Sequence, residues 1–282
     1  MVARRYFSAM TLLADNTILV TGGIGENGEA LDSAEIYNPT AGNFYLVGRM
    51  TTARRGHNAV LLKNGRVLIA GGDNAVGIRL ASAEIFDPIE RTFSLTGEMN
   101  EARLTEHTPN AVVLRDGRVL IAGGYGTSGQ LASVEVYDPD RGTFILLGNM
   151  AVRRACQSLT VLNDGRDVLI AGGHADGAGH LDSAEIYSPD SHSTMLITKM
   201  NTPHFLHTAT PLTNGKVLII GGYSPSVELY DPDTQTFKEI GCLTTSRYLH
   251  TTILLSGGEV LVIGGADHTG RSLASIEGGT IL

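Results

Sequence analysis

The chain has 282 residues, a formal charge of −8 and 42% hydrophobic residues, so it can bury a substantial core and is not a disordered segment. The acidic balance argues against nucleic acid as the main partner, because phosphate binding needs a basic surface or stripe. No apolar stretch reaches the ~20 residues of a membrane-spanning helix, and no membrane partner is expected. Two cysteines, Cys156 and Cys242, do not recur with any period, which excludes a disulfide framework. The opening MVARRYFSAM is too short and too polar for a secretory signal. The default compartment is therefore cytoplasmic, with secretion open if the chain is a piece of a longer one.

Read in chain order, one phrase recurs six times: TILVTGG, RVLIAGG, RVLIAGG, DVLIAGG, KVLIIGG and EVLVIGG. Its Gly-Gly pairs, starting at Gly22, Gly71, Gly123, Gly172, Gly221 and Gly264, are 49, 52, 49, 49 and 43 residues apart. A period near 50 residues means one copied structural unit. Residues 54 to 99 serve as the model unit. Asn58 to Leu62 reads as a first strand, Asn64-Gly65 as a type I′ hairpin turn, and Val67 to Ala70 as a second strand. A polar loop leads to a third strand, Ala83 to Phe86, which Asp87-Pro88 ends. Thr92 to Leu95 is the fourth. The other hairpin turns are Asp116-Gly117, Asp164-Gly165, Asn214-Gly215 and Gly257-Gly258, with Asp15-Asn16 as the variant in unit one. The third strands read AEIYNP, AEIFDP, VEVYDP, AEIYSP and VELYDP, and the fourth strands carry Phe44, Phe93, Phe144, Met195 and Phe237.

Four short antiparallel strands cannot bury a face alone, but sheets stacked around an axis can. The expected fold is all-β: a single domain over 1–282, a six-bladed β-propeller with four antiparallel strands per blade. The blades fall at about 5–50, 51–100, 101–150, 151–200, 201–243 and 244–282. The last is expected to be incomplete, because Gly278-Gly279 stands where the third strand should carry Tyr-Asp.

This phrase resembles the kelch repeat. The matching features are the arginine before the first strand, the Gly-Gly after the second, the Tyr of the third and the aromatic of the fourth. The resemblance covers almost the whole chain and implies a kelch-type propeller. Kelch fourth strands usually carry Trp, where this chain has Phe or Met. Kelch propellers are commonly closed by strands from both termini, and nothing before Arg5 reads as such a strand.

Alternation of strand direction sorts the connections by end. The entry links before each first strand and the loops between second and third strands share one end, here called the rim end. The rim loops vary (IGENGEALDS, DNAVGIRLAS, YGTSGQLAS, HADGAGHLDS, YSPS, ADHTGRSLAS), whereas the opposite turns are short and uniform. Variable loops on a rigid frame are where binding usually sits. The entry links place Arg5, Arg54, Arg103, Arg154, His204 and Arg247 in register. Since the first strand is innermost in kelch propellers, the resemblance implies that these cations ring the mouth of the central channel, where they would suit an anionic ligand. The competing and favoured reading pairs them structurally with the third-strand glutamates Glu35, Glu84, Glu135, Glu185, Glu228 and Glu277. Arg55 and Arg153 lie off this register, and Arg79 and Arg271 sit in rim loops, so these four are better ligand candidates.

Eight histidines fall in rim-end segments: His57, His107, His174, His180, His204, His207, His250 and His268. His192 lies in a turn at the other end. His57, His207 and His250 share one repeat position, filled by Gln157 in unit four, which implies a packing or hydrogen-bonding role. No metal site or cofactor is expected. No GxSxG elbow occurs and no catalytic set assembles from spacing; Glu26, Glu29, Asp32 and Asp176 are rim-loop carboxylates.

Among kelch-type enzymes, galactose oxidase-like copper oxidases use a Tyr–Cys crosslink that neither cysteine here matches. Sialic acid mutarotase-like proteins act on an anionic sugar, and kelch adaptors of ubiquitin ligases bind acidic peptides, but the BTB and BACK domains of the adaptors are lacking. The reading favoured is a binding module, expected to be monomeric, whose rim end holds a protein or glycan partner carrying anionic groups. The alternative is a small-molecule enzyme of the mutarotase-like type.

Overall fold

A computed structural model describes residues 1–105, 108–162 and 165–280. The chain is an all-β, six-bladed propeller, and it divides into two compact units of three blades, Met1–Gly148 and Asn149–Leu282. Blade one comprises Ala9–Leu12, Ile18–Thr21, Ser33–Asn38 and Asn43–Arg49. Blade two comprises Asn58–Leu61, Val67–Ala70, Ala83–Asp87 and Thr92–Leu95. Blade three comprises Ala111–Val113, Val119–Ala122, Ser133–Asp138 and Thr143–Asn149. Blade four comprises Ser158–Leu162, Asp167–Ala171, Ala184–Ser188 and Ser193–Leu196. Blade five comprises Thr208–Pro211, Val217–Ile220, Ser226–Asp231 and Thr236–Cys242. Blade six has three strands, Thr251–Leu254, Glu259–Ile263 and Ile276–Thr280. Strands pair in chain order within every blade.

The second strands of blades two, three and five are apolar at every position because both of their faces are covered. Val67–Ala70, Val119–Ala122 and Val217–Ile220 are buried throughout. Each core lies between neighbouring sheets. Leu19, Ile36 and Met50 of blade one meet Val67, Ile69 and Phe86 of blade two, and Leu169, Ile186 and Met200 of blade four meet Val217, Ile219 and Tyr230 of blade five. Each fully buried Val, Leu or Ile contributes ~1.5–3 kcal/mol, so a four-residue strand buried on both sides anchors its blade. The outer pair is tied by rings. Tyr37–Phe44, Phe86–Phe93, Tyr137–Phe144 and Tyr230–Phe237 have centroids 4.7 to 4.8 Å apart.

The hairpin turns are not type I′. Gly65 N donates to the Leu62 carbonyl (2.9 Å) and Leu62 N to the Arg66 carbonyl (2.8 Å). Of the loop residues, only Gly65 has positive φ (83°). This is a three-residue loop in which glycine takes the left-handed position. Gly117, Gly215 and Gly258 repeat it, and in blade one Asn16 takes that place at φ 64°. Asparagine is the non-glycine residue that adopts this conformation most readily, which accounts for the variant turn. Of Asp164-Gly165, Asp164 lies outside the described residues.

The pairs Gly22-Gly23 and Gly172-Gly173 sit where no side chain would fit. A Cβ on Gly22 would lie 2.2 Å from the Arg54 carbonyl oxygen, and one on Gly172 would lie 2.4 Å from that of His204. The second glycine uses that same carbonyl: Gly23 N donates to Arg54 O (2.9 Å) and Gly173 N to His204 O (2.8 Å). The pair is thus the seam where one blade's backbone touches the next blade's entry link.

Blade six departs from the others. Gly279 pairs with Val260 where blade five pairs Tyr230 with Val217, and among the described residues no fourth strand covers Ile276–Thr280. The missing rings leave an apolar cleft of about 230 Å³ lined by Leu218, Ile220, Leu243, Val260, Val262, Gly278 and Gly279.

Candidate functional site

The six register residues form one buried motif, built the same way in the five blades that carry arginine and with His204 in its place in blade five. Arg54 Nη1 donates to the Gly71 carbonyl (2.7 Å) and the Ser82 carbonyl (3.0 Å), and Nη2 donates to Ser82 Oγ (3.2 Å) and Glu84 Oε1 (3.0 Å). Glu84 also accepts the backbone amides of Thr51 and Thr52 (2.6 and 3.1 Å). Arg5–Glu35, Arg103–Glu135, Arg154–Glu185, His204–Glu228 and Arg247–Glu277 repeat the pairing, and all six cationic side chains have 0% exposure. The glutamate therefore pins the entry link of its own blade, and the cation ties that link to the end of the second strand. This is the pairing reading of the sequence. It leaves these six side chains no surface with which to line a channel mouth or meet a ligand. Burial pushes Arg54, Arg103 and Arg154 below the usual arginine range, opposed by their glutamates. Burial alone would push Glu228 up, but hydrogen bonds from His204, Asn201 and Thr202 hold it at about 2.

Three histidines occupy the next repeat position and hydrogen-bond across the blade seam. His57 Nε2 meets Thr21 Oγ1 (2.8 Å), His207 Nε2 meets Ser158 Oγ (2.9 Å) and His250 Nε2 meets Thr208 Oγ1 (3.0 Å). Burial, with Arg54 nearby, pushes His57 down to about 3; burial and Arg247 push His250 to about 4. His107 lies outside the described residues. Among the described residues no three His, Cys, Asp or Glu side chains converge to hold a metal ion. Cys156 is buried and Cys242 exposed.

The four off-register arginines differ. Arg55 directs Nε and Nη2 at the two oxygens of Asp73 (2.6 and 3.2 Å), and Arg79 Nη1 reaches Oδ2 of the same carboxylate (2.6 Å). Asp73 is 1% exposed, whereas Arg55 and Arg79 are 37% and 25% exposed. One buried carboxylate thus orients two guanidiniums that are partly exposed to solvent. Isolated bridges from Asp73 to Arg55 and to Arg79 hold the entry link against the rim loop. Arg153 and Arg271 are exposed at the rim ends of blades four and six, and the structure brings neither into this cluster. Beside the cluster, a hollow of about 400 Å³ is lined by Phe7, Met10, Gly56, His57, Thr105 and Pro109.

The second unit carries a group of rings that sequence reasoning did not assemble. His180 stacks on Phe205 (4.8 Å, 15° between planes) and lies 5.0 Å from Tyr223. Tyr223 in turn stacks on Tyr248 (4.6 Å, 5°). His174 touches His180 and Phe205 (5.8 and 5.6 Å). Phe205 and Tyr248 each follow a register cation, Tyr223 follows a Gly-Gly pair, and both histidines lie in one rim loop. The signal was present as aromatics at repeat positions flanking the shortest rim loop, but residues in three blades had to be placed together to read it.

The kelch motif, taken as a family profile, matches residues 54–100 and 108–151. No curated protein matches the chain in sequence. Solved structures share its fold. One is a fungal alcohol oxidase of the AA5 family in complex with copper, 19% identical, with a TM-score of 0.77 over 93% of this chain. The chain spans 59% of that structure's length. At this identity the likeness concerns fold alone.

Proposed function

Because this chain is a kelch-repeat β-propeller, we propose that it is a binding module whose rim end holds a protein or glycan partner through that partner's anionic groups. The observation that carries this reading is the Arg55–Asp73–Arg79 cluster. Two guanidiniums preset by a buried carboxylate present donors in a fixed fork, the geometry that suits a carboxylate or phosphate. Preorganisation lowers the ordering cost of binding. The uniform hairpins at the opposite end support the same assignment, since they offer only short, closed turns.

A thermal-shift screen with sialic acid, uronic acids and acidic peptides tests it. At 100 times its dissociation constant a ligand adds ~2.7 kcal/mol to stability. The expected result is a shift from at least one anion that Arg55→Ala/Arg79→Ala abolishes while the variant stays folded. A shift that survives the double substitution, or no shift from any anion, counts against the proposal.

A further inference from the structure

The rings of the second unit are not needed by the blade frame. At the position after Gly-Gly, the other blades carry Ile24, Asp73, Tyr125, His174 and Ala266, each held by an extended bridge to its own entry link. Tyr223 departs from this. It alone among the six is left-handed, at φ 63°. That conformation is unfavourable for a non-glycine residue and points to a local demand. The rim loop here is reduced to Tyr223-Ser224-Pro225-Ser226, so the rim is lowest where the rings gather. Tyr223 is 41% exposed, His180 is exposed, and Phe205 and Tyr248 are half-buried.

Polar groups alternate with ring surface across this wall. They are the imidazoles of His174 and His180, the hydroxyls of Tyr223 and Tyr248, and the Asp176 carboxylate 3.7 Å from His174. Burial and the neighbouring His174 lower His180, and an imidazole in its neutral form offers one donor and one acceptor. A ligand matching this pattern needs apolar C–H surface for the rings and hydroxyls for the rim of acceptors and donors. A proline-rich segment offers the first but has no backbone N–H to meet the acceptors. We infer that His180, Phe205, Tyr223 and Tyr248 form a saccharide-binding wall that takes neutral hexopyranose units. The inference rests on the reading of the rim end as the binding end, and not on the Arg55–Asp73–Arg79 cluster.

The test uses the full chain labelled with 3-fluorotyrosine and fluorine NMR, with tyrosine resonances assigned by Tyr→Phe variants. The probes are maltohexaose, cellohexaose and mannohexaose, with nonaproline as the comparator. At least one hexaose should move the Tyr223 and Tyr248 resonances and leave those of Tyr45 and Tyr187 in place. Tyr223→Asn, which tolerates the left-handed backbone, and Phe205→Ala should each weaken that hexaose by about tenfold or more. Arg55→Ala/Arg79→Ala should leave hexaose affinity unchanged. The inference is overturned if no hexaose moves the two resonances, or if folded Tyr223→Asn binds as wild type. Movement with nonaproline alone also overturns it, while leaving the rim end standing as a binding surface.

Discussion

At the scale of single residues, neighbours in sequence have opposite fates. Arg54 and Arg55 are adjacent, yet one is fully buried against Glu84 and the other shares Asp73 at the surface. Removing one member of a buried ion pair costs ~3–5 kcal/mol, whereas an exposed pair contributes ~0–1 kcal/mol. Urea unfolding should therefore find Arg54→Ala severely destabilised and Arg55→Ala much less so, because Arg79 still pairs with the buried Asp73; equal losses would contradict the assignment. Blade five offers a finer case. His204 replaces the register arginine, reaching Glu228 and the Gly221 carbonyl, but Ser226 Oγ is left buried without a partner. In the other five blades an arginine Nη2 bonds that serine. His204→Arg should recover a hydrogen bond of ~0.5–1.5 kcal/mol and raise Tm. A lowered Tm would mean the site has closed around imidazole. The buried histidines set a pH dependence. His57 and His250 stay neutral in the fold, but in the unfolded chain they take up protons below about pH 6.5. The unfolded state then binds more protons, so stability is full above that pH and falls as pH drops toward about 4 for His250 and about 3 for His57. His57→Gln, the residue blade four carries as Gln157, should flatten part of this slope in urea unfolding between neutral pH and about pH 5.

At the scale of elements, the strands were legible in the sequence because each is bounded by punctuation: Gly-Gly, Asn-Gly or Asp-Pro. The predicted Val67 to Ala70 and Thr92 to Leu95 coincide with the strands found. The turn type was not legible, since Asn-Gly does not say whether one residue or both are left-handed. The pairing of Arg and Glu was readable from their equal numbers, but its location within each blade needed the register. The wall of rings was hidden because it depends on contacts among loops of unequal length. Blade six was readable as a departure at Gly278-Gly279, and among the described residues no fourth strand pairs with its third. Amides of Gly278 and Thr280 should exchange faster than those of Leu229 and Tyr230, which sit in a third strand covered by a fourth. Equal protection measured by NMR would reveal a partner for the third strand of blade six.

At the scale of the whole molecule, the repeated cations, glutamates, histidines and glycines maintain the frame, and the two proposed binding surfaces lie where the chain departs from the repeat. Asp73 with its two arginines is one departure, in the first unit, and the ring cluster beside the shortened loop is another, in the second. Binding at the rim end is the central claim. Hydrogen–deuterium exchange with the anion that gives the largest thermal shift tests it most directly. The account predicts slowed exchange in the entry link and rim loop of blade two, residues 54–57 and 73–79, with the hairpins at 62–66 and 114–118 unchanged. Protection confined to those hairpins would contradict it.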